Sequence, residues 1–149
     1  MSDRCPAPVY RAVTYAHVAD VDAALAFYGL LGFAPGHVLR TATGRAFWAS
    51  AGSTGGRPGL AELFFACASG PVKAEEQAVL FYLYSADVAA LRAHLLASGV
   101  HDGGVYSGQA GPGDGRRVAF EIYHPRHMEC GELRVVDPDG YVVLIGQLE

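Results

Sequence analysis

The sequence predicts an α+β domain built from two βαβββ modules, and three observations predict it. The chain contains a diverged copy of itself. Residues 13 to 33, displaced by 67 positions, fall onto 80 to 100, which sets Tyr15 on Tyr82, Asp20 on Asp87, Val21 on Val88, Ala26 on Ala93 and Gly32 on Gly99. In both copies an apolar stretch, a capping aspartate, an alanine-rich helix and a closing glycine follow in the same order. Strand-like runs then follow each helix. An internal repeat decides architecture before local reading does. One such unit cannot cover its own sheet on both sides, so the two halves are expected to share one core.

Residues 1 to 10 read as a short extended lead-in, because Pro6 and Pro8 discourage helix. Val13 to Val18 read as a strand. Asp20 is placed to cap a helix, its carboxylate accepting from an otherwise unpaired first-turn amide. Val21, Ala24, Leu25, Tyr28 and Leu31 recur at helical spacing and predict one buried stripe. Gly32 suits the left-handed residue that ends such a helix. Phe33 to Thr41, Arg45 to Ser50 and Ala61 to Cys67 read as strands, with a glycine-rich loop from Gly52 to Gly59. These complete a first module at about 10–68, inside a single domain spanning 1–149.

A linker at 68–77 leads to a second module at about 77–148. Val79 to Tyr84 reads as a strand, and Asp87 caps a helix carrying Val88, Leu91 and Leu95 on one face until Gly99 ends it. Strands are expected around Val105, at Val118 to Tyr123, at Glu132 to Val136 and at Tyr141 to Gln147. The loop at 108–115 reads as a lid or an ordinary loop. Asp137-Pro138-Asp139-Gly140 signals a tight turn, with proline fixing the first turning residue and glycine accommodating the last.

Composition narrows the function classes. Hydrophobic residues at 51% against charged residues at 17% exclude disorder as the resting state. A net charge of −4 argues against a nucleic-acid partner, which needs a positive field. No apolar run approaches the ~20 residues of a membrane span, and the N-terminus lacks the apolar core of a secretion signal. Cys5, Cys67 and Cys130 have no paired spacing, so no disulfide framework is expected. A reduced, cytoplasmic protein follows from these readings.

With Asp20 opening the first helix, Phe27-Tyr28 inside it, Leu31-Gly32-Phe33 at its end and Asp137-Pro138-Asp139-Gly140 before the last strand, the chain resembles the vicinal oxygen chelate superfamily. That superfamily holds glyoxalase I, extradiol dioxygenases and bleomycin-resistance proteins, and the resemblance runs from about Val13 to Gln147. It implies the glyoxalase/bleomycin resistance-like fold, a mixed sheet curled around a cleft, with four strand residues holding a divalent metal in the enzymes. The implied ligand positions carry Val13, Leu80 and Leu144 here, and only Glu62 keeps a ligand atom. Aliphatic side chains have no lone pair for a metal, and one carboxylate does not hold a catalytic ion alone. No metal and no other cofactor is therefore expected. The resemblance is strongest to the bleomycin-resistance branch, in the segment from Glu132 to Gln147. That branch implies binding and sequestration of a toxic ligand between subunits, hence a homodimer.

Strand side chains alternate between faces. If Val13 and Leu80 face the cleft, so do Tyr15, His17, Tyr82 and Tyr84. The same parity brings Phe64 with Glu62, and Val142 and Gly146 with Leu144; Trp48, on the strand preceding Glu62, is also expected to face inward. The predicted ligand-binding set is Tyr15, His17, Trp48, Glu62, Phe64, Tyr82 and Tyr84, an aromatic lining with few polar groups, as small-molecule sites commonly have. Strand aromatics also pack as core, and Glu62 also fits a solvated edge. His124, His127, Glu129, Cys130 and Glu132 form a second cluster with ligand-type atoms. Alternation would put His127 and Glu129 on one face and Cys130 and Glu132 on the other, which splits it. The function expected is a metal-free protein that binds a small aromatic or apolar molecule such as an antibiotic. The alternative is a metal-independent lyase, isomerase or cyclase with His17 or Glu62 as general base. A metal enzyme with relocated ligands ranks behind both.

Overall fold

Each module begins with a strand that hands directly to a capped helix. In the computed structural model, which describes residues 5–7, 13–55, 61–76, 81–107 and 115–149, strand β1 is Thr14–Val18 and helix α1 is Val21–Leu30. Strand β5 is Phe81–Tyr84 and helix α2 is Val88–Ala97. The Asp20 carboxylate accepts from the Ala23 amide at 3.1 Å, and the Asp87 carboxylate accepts from the Ala90 amide at 3.0 Å. A cap of this kind contributes about 1 kcal/mol. Gly32 and Gly99, at φ +92° and +90°, take the left-handed turn that ends each helix.

The first sheet contains β1, β2 (Phe33–Arg40), β3 (Ala46–Ser53) and β4 (Glu62–Cys67) in the order β1-β4-β3-β2. The second contains β5, β6 (His101–Asp102), β7 (Val118–Ala119), β8 (Glu132–Val136) and β9 (Val142–Gly146) in the order β5-β9-β8-β7-β6. In both, the first strand of the module runs parallel to its last, and the inner pairs run antiparallel. The repeat seen in sequence is thus a repeat of topology over four strands, β5-β9-β8-β7 matching β1-β4-β3-β2, with β6 added parallel to β7 at the far edge, and the fold is the α+β plan expected. Val79 and Leu80, read as the start of β5, lie outside the described residues, as does most of the 108–115 loop.

The second module departs from the first at its far edge. The strand expected around Val105 lies upstream at His101–Asp102, and Val105 is an exposed side chain. Gly103 and Gly104 cause the shift. A Cβ on Gly103 would sit 2.6 Å from Val118 Cγ1, and Gly104 turns the chain away at φ +66°. The strand expected over Val118 to Tyr123 is interrupted for a related reason. The Phe120 amide still pairs with the Arg134 carbonyl, but the Glu121 amide turns to the Gly104 carbonyl at 2.8 Å. Pairing resumes only at Tyr123, opposite Glu132.

The core lies between the sheets and their helices. Val21, Ala24, Phe27 and Tyr28 of α1 are buried, with Val88 and Leu95 of α2. They meet Ala16, Val18, Phe65, Phe81, Leu133 and Ile145 from the strands. Leu25 is half-buried against this cluster, and Phe27 takes the fully buried place beside Tyr28. The turn before β9 stitches the modules together. The buried Asp137 carboxylate accepts from the Tyr28 hydroxyl at 2.9 Å and from the amides of Asp139 and Tyr141. Asp139 accepts from the Ala19 amide at 2.8 Å, and the Tyr141 hydroxyl donates to the His17 carbonyl at 2.8 Å. Gly140, at φ +93°, donates to the Asp137 carbonyl, which closes the turn. No described helix is long and apolar enough to cross a membrane.

Candidate functional site

Alternation along β1 buries Ala16 and Val18 and turns Tyr15 and His17 outward. The pairing register lays the outward face of the first sheet in rows. His17, Ala66 and Trp48 form one row, and Tyr15, Phe64 and Ser50 form the next. Tyr15 meets Phe64 edge-on with ring centroids 5.9 Å apart, and Trp48 meets Phe64 at 5.1 Å. His17 stands 6.3 Å from Tyr15, and half-buried Glu62 pairs across to Gly52 on the same face. Five of the seven predicted residues therefore share one surface. Tyr15 is 52% exposed, so this is an open aromatic platform and not core.

Tyr82 and Tyr84 stand on the outward face of the second sheet, 5.5 Å apart. Among the described residues no ring contact links them to the first platform. The two sheets are separate, and the modules join through their helix-side core, so one chain presents two outward faces.

The second face carries a polar network centred on Glu132, which is 1% exposed. The Tyr82 hydroxyl donates to Oε2 at 2.6 Å and the Tyr123 hydroxyl donates to Oε1 at 2.5 Å. His127 Nε2 lies 2.9 Å from Oε2. Burial pushes the Glu132 carboxyl up, but the hydrogen bonds from Tyr123, Tyr82 and His127 outweigh it, so the group is held below its ordinary value. An ionised carboxylate only accepts, so His127 Nε2 carries the proton of this contact. Burial and the Glu132 charge both raise the hydroxyls of Tyr82 and Tyr123, which stay neutral donors. Arg134 Nη2 donates to the Tyr123 hydroxyl at 2.8 Å. Its guanidinium lies 4.1 Å from the Tyr106 ring centroid and 5.0 Å from that of Tyr123. A cleft of about 330 Å³ opens beside it, lined by Val105, Tyr106, Glu121, Ile122, Tyr123 and Arg134.

The sequence reading separated His127 from Glu132 by strand alternation, and the structure brings them together. Residues 125–131 form turns, with the Met128 amide on the Pro125 carbonyl and the Gly131 amide on the Met128 carbonyl. Alternation does not apply there. Glu132 opens a central strand, since β8 lies between β7 and β9. Arg134, Tyr123 and Tyr106 were not anticipated. The signal available was parity, because Glu132 and Arg134 are two apart on a strand and so share a face.

The metal-ligand positions implied by the resemblance do not fit a metal. Val13 and Leu144 offer no donor atom, Leu80 lies outside the described residues, and Glu62 stands alone among them. No group of three His, Cys, Asp or Glu side chains converges among the described residues. In the other cluster, His124 is turned to the Glu129 carbonyl and Cys130 to that of Leu148.

No protein-family model and no functionally described protein matches the sequence. Solved structures do match. The chain is similar to a bleomycin-binding protein from Streptomyces verticillus complexed with copper(II)-bleomycin, at TM-score 0.63 and 18% identity over 96% of this chain and 99% of that one. It is similar to a bleomycin resistance determinant encoded on the transposon Tn5, at 0.58 and 22% over 95% and 99%. A third is TnmS3, an antibiotic-binding protein from Streptomyces sp. CB03234, at 0.55 and 21% over 96% and 100%. The fold is that of the bleomycin-resistance proteins.

Proposed function

We propose that this chain is a small-molecule binding protein that sequesters an aromatic or otherwise apolar compound, such as an antibiotic, without a metal. The observation that carries the reading is the open platform of Tyr15, Trp48 and Phe64, in which Phe64 meets both other rings on a face the fold leaves uncovered. Offset and edge-on ring contacts each contribute about 0.5–1.5 kcal/mol beyond buried area. The similar structures with antibiotic-binding names support the same reading. The aliphatic side chains at the metal positions point the same way. A cytoplasmic protein that lowers the free concentration of a toxic ligand fits this chemistry.

The functional unit is a homodimer in this proposal. One chain turns its two faces outward, so a second copy can set the polar face of one subunit against the aromatic platform of the other. Exposed apolar surface of this kind marks an interface or a ligand site, and twofold dimers are the commonest oligomers.

The test is a titration read by Trp48 fluorescence, with bleomycin as the first compound and the recovered ligand analysed afterwards. Saturable quenching with unaltered ligand is the expected result. Recovery of a chemically changed compound at many turnovers per protein would replace sequestration with catalysis. Sedimentation should give twice the 15.7 kDa chain mass; a monomer at micromolar concentration removes the dimer.

A further inference from the structure

A buried glutamate beside an arginine ordinarily forms a two-pronged pair, with parallel N–H donors on both carboxylate oxygens. Here that pair is not made. Phenol hydroxyls from Tyr82 and Tyr123 occupy the two oxygens of Glu132 at 2.6 and 2.5 Å. Arg134 Nε is left 3.9 Å from Oε1, outside hydrogen-bond distance and without a partner. Among the described residues the Tyr123 hydroxyl is the one acceptor of a hydrogen bond from Arg134. The guanidinium has a counter-charge nearby, yet among the described residues one of its N–H groups is paired, its Nε is buried without a partner, and the side chain stays about a quarter exposed. Stacking against Tyr106 and Tyr123 holds its plane, and a stacked guanidinium presents its N–H edge sideways. Arg134 is itself part of the lining of the cleft of about 330 Å³, together with Val105, Tyr106, Glu121, Ile122 and Tyr123.

We infer that this cleft is a subsite for a carboxylate, or an equally acidic oxygen, carried on a flat apolar body. Resting on the small-molecule binding reading, the inference adds to it the charge and position of one recognised group. The fork of Arg134 meets the two oxygens, while the ring walls take the body. Donors held in place by stacking lose little freedom on binding, which is where preorganised sites gain affinity. Glu121, exposed at the rim, disfavours a second negative charge, so a monoanion is the form selected.

The experiment compares 2-naphthoate with its neutral amide, 2-naphthamide, by isothermal calorimetry on the full chain at pH 7.5. Charge-assisted hydrogen bonds predict that the carboxylate binds about tenfold tighter or more. Arg134→Gln should erase the preference while leaving amide binding in place. Glu121→Gln, at an exposed position, should strengthen naphthoate about twofold and serves if Arg134→Gln does not fold. Equal binding of the two compounds, a preference that survives Arg134→Gln, or unchanged naphthoate affinity in Glu121→Gln would each overturn the subsite. Binding without charge preference removes the subsite and leaves the binding reading intact. No binding of either compound, with no response from Trp48 to aromatic ligands, removes both.

Discussion

At equivalent positions of the two sheets the side chains differ in kind. Across from Ala66 on the first sheet stands Trp48; across from its counterpart Gly146 on the second stands Glu132. Beside Phe64 is Ser50, and beside the matching Leu144 is Arg134. Tyr15 and Tyr82 alone keep their chemistry, and even there the roles part. Tyr15 offers an open ring, whereas the Tyr82 hydroxyl is committed to Glu132. The repeat preserves strand order, caps and helix-closing glycines, which serve the core. The outward faces carry none of that load and have diverged into a surface of ring faces and a network of charges. On the first face side chains are there to be touched; on the second several are there to hold one another.

The widest gap between the faces should appear on removing Glu132. Glu132→Ala strands the Tyr82 and Tyr123 hydroxyls and removes the negative charge nearest Arg134. Each buried donor left unsatisfied costs about 1–3 kcal/mol, together a large part of the ~5–15 kcal/mol that holds a domain together. Urea unfolding should show a collapse in the midpoint. A loss below about 1 kcal/mol would mean that the network is loose and that the two faces do not differ in this way.

A second measurement separates the faces from the core turn that joins their modules. Burial pushes the Asp137 carboxyl up to about 6 from 3.8, against the opposing hydrogen bonds from Tyr28 and the Tyr141 amide. Between those values the folded chain holds a proton the unfolded chain has released. Stability from this group therefore falls as pH rises through that window and is level above it. The difference is on the order of 2–3 kcal/mol. Glu132 acts in the opposite sense, since its carboxyl is held low and its contribution is lost as pH falls from the ordinary 4.5 through its lowered value. Wild type should gain stability on acidification from pH 7.5 toward 5, and Asp137→Asn should flatten that slope. Equal slopes in the two proteins would place the titration elsewhere.

Gly146 sharpens the comparison at a single pair of equivalent positions, because its counterpart Ala66 already carries a methyl group. A Cβ at Gly146 would lie 2.9 Å from the Tyr82 hydroxyl oxygen and 2.9 Å from Met128 Sδ. Gly146→Ala must push Tyr82 off Glu132 or displace Met128, a cost of about 1–3 kcal/mol. Ala66→Gly on the first sheet should cost less than about 1 kcal/mol, the ordinary penalty of glycine in a strand. Equal losses would show that Tyr82 is free to move and that its bond to Glu132 is not a constraint.

How much could be read from the chain follows the same division. Helices, caps, the Asp137–Gly140 turn and the strands outside the 101–123 stretch were legible because each depends on a short run of residues and one periodicity. The first platform was legible too, since β1 and β4 alternate without interruption and parity alone places Tyr15, His17, Glu62 and Phe64. The second face was not. Its partners come from β5, β8, the turn at 125–131 and the irregular stretch at 103–107, and no spacing rule spans those. His127 reaches Glu132 only because the chain folds back at Pro125 and Met128. Arg134 looked like one charge among eleven basic residues until Tyr106 and Tyr123 closed on it.

The smallest stability effect tests the first face, and it carries the largest consequence for binding. Tyr15 is half exposed and, among the described residues, meets Phe64 and His17 through ring edges. Tyr15→Ala removes those contacts and little else, so unfolding free energy should fall by about 1 kcal/mol or less. If the platform binds an aromatic ligand, the same change should weaken that ligand about tenfold, because a stacking face and its buried area are lost together. Trp48, in contact with Phe64 at 5.1 Å, reports both quantities in the same protein. Glu132→Ala should show the reverse pattern, with stability falling far more than affinity for a neutral aromatic. If Tyr15→Ala instead destabilises the fold by several kcal/mol and leaves affinity unchanged, the platform is structural and the ligand sits wholly on the second sheet. The division of labour between the faces would then be the opposite of the one their exposure implies.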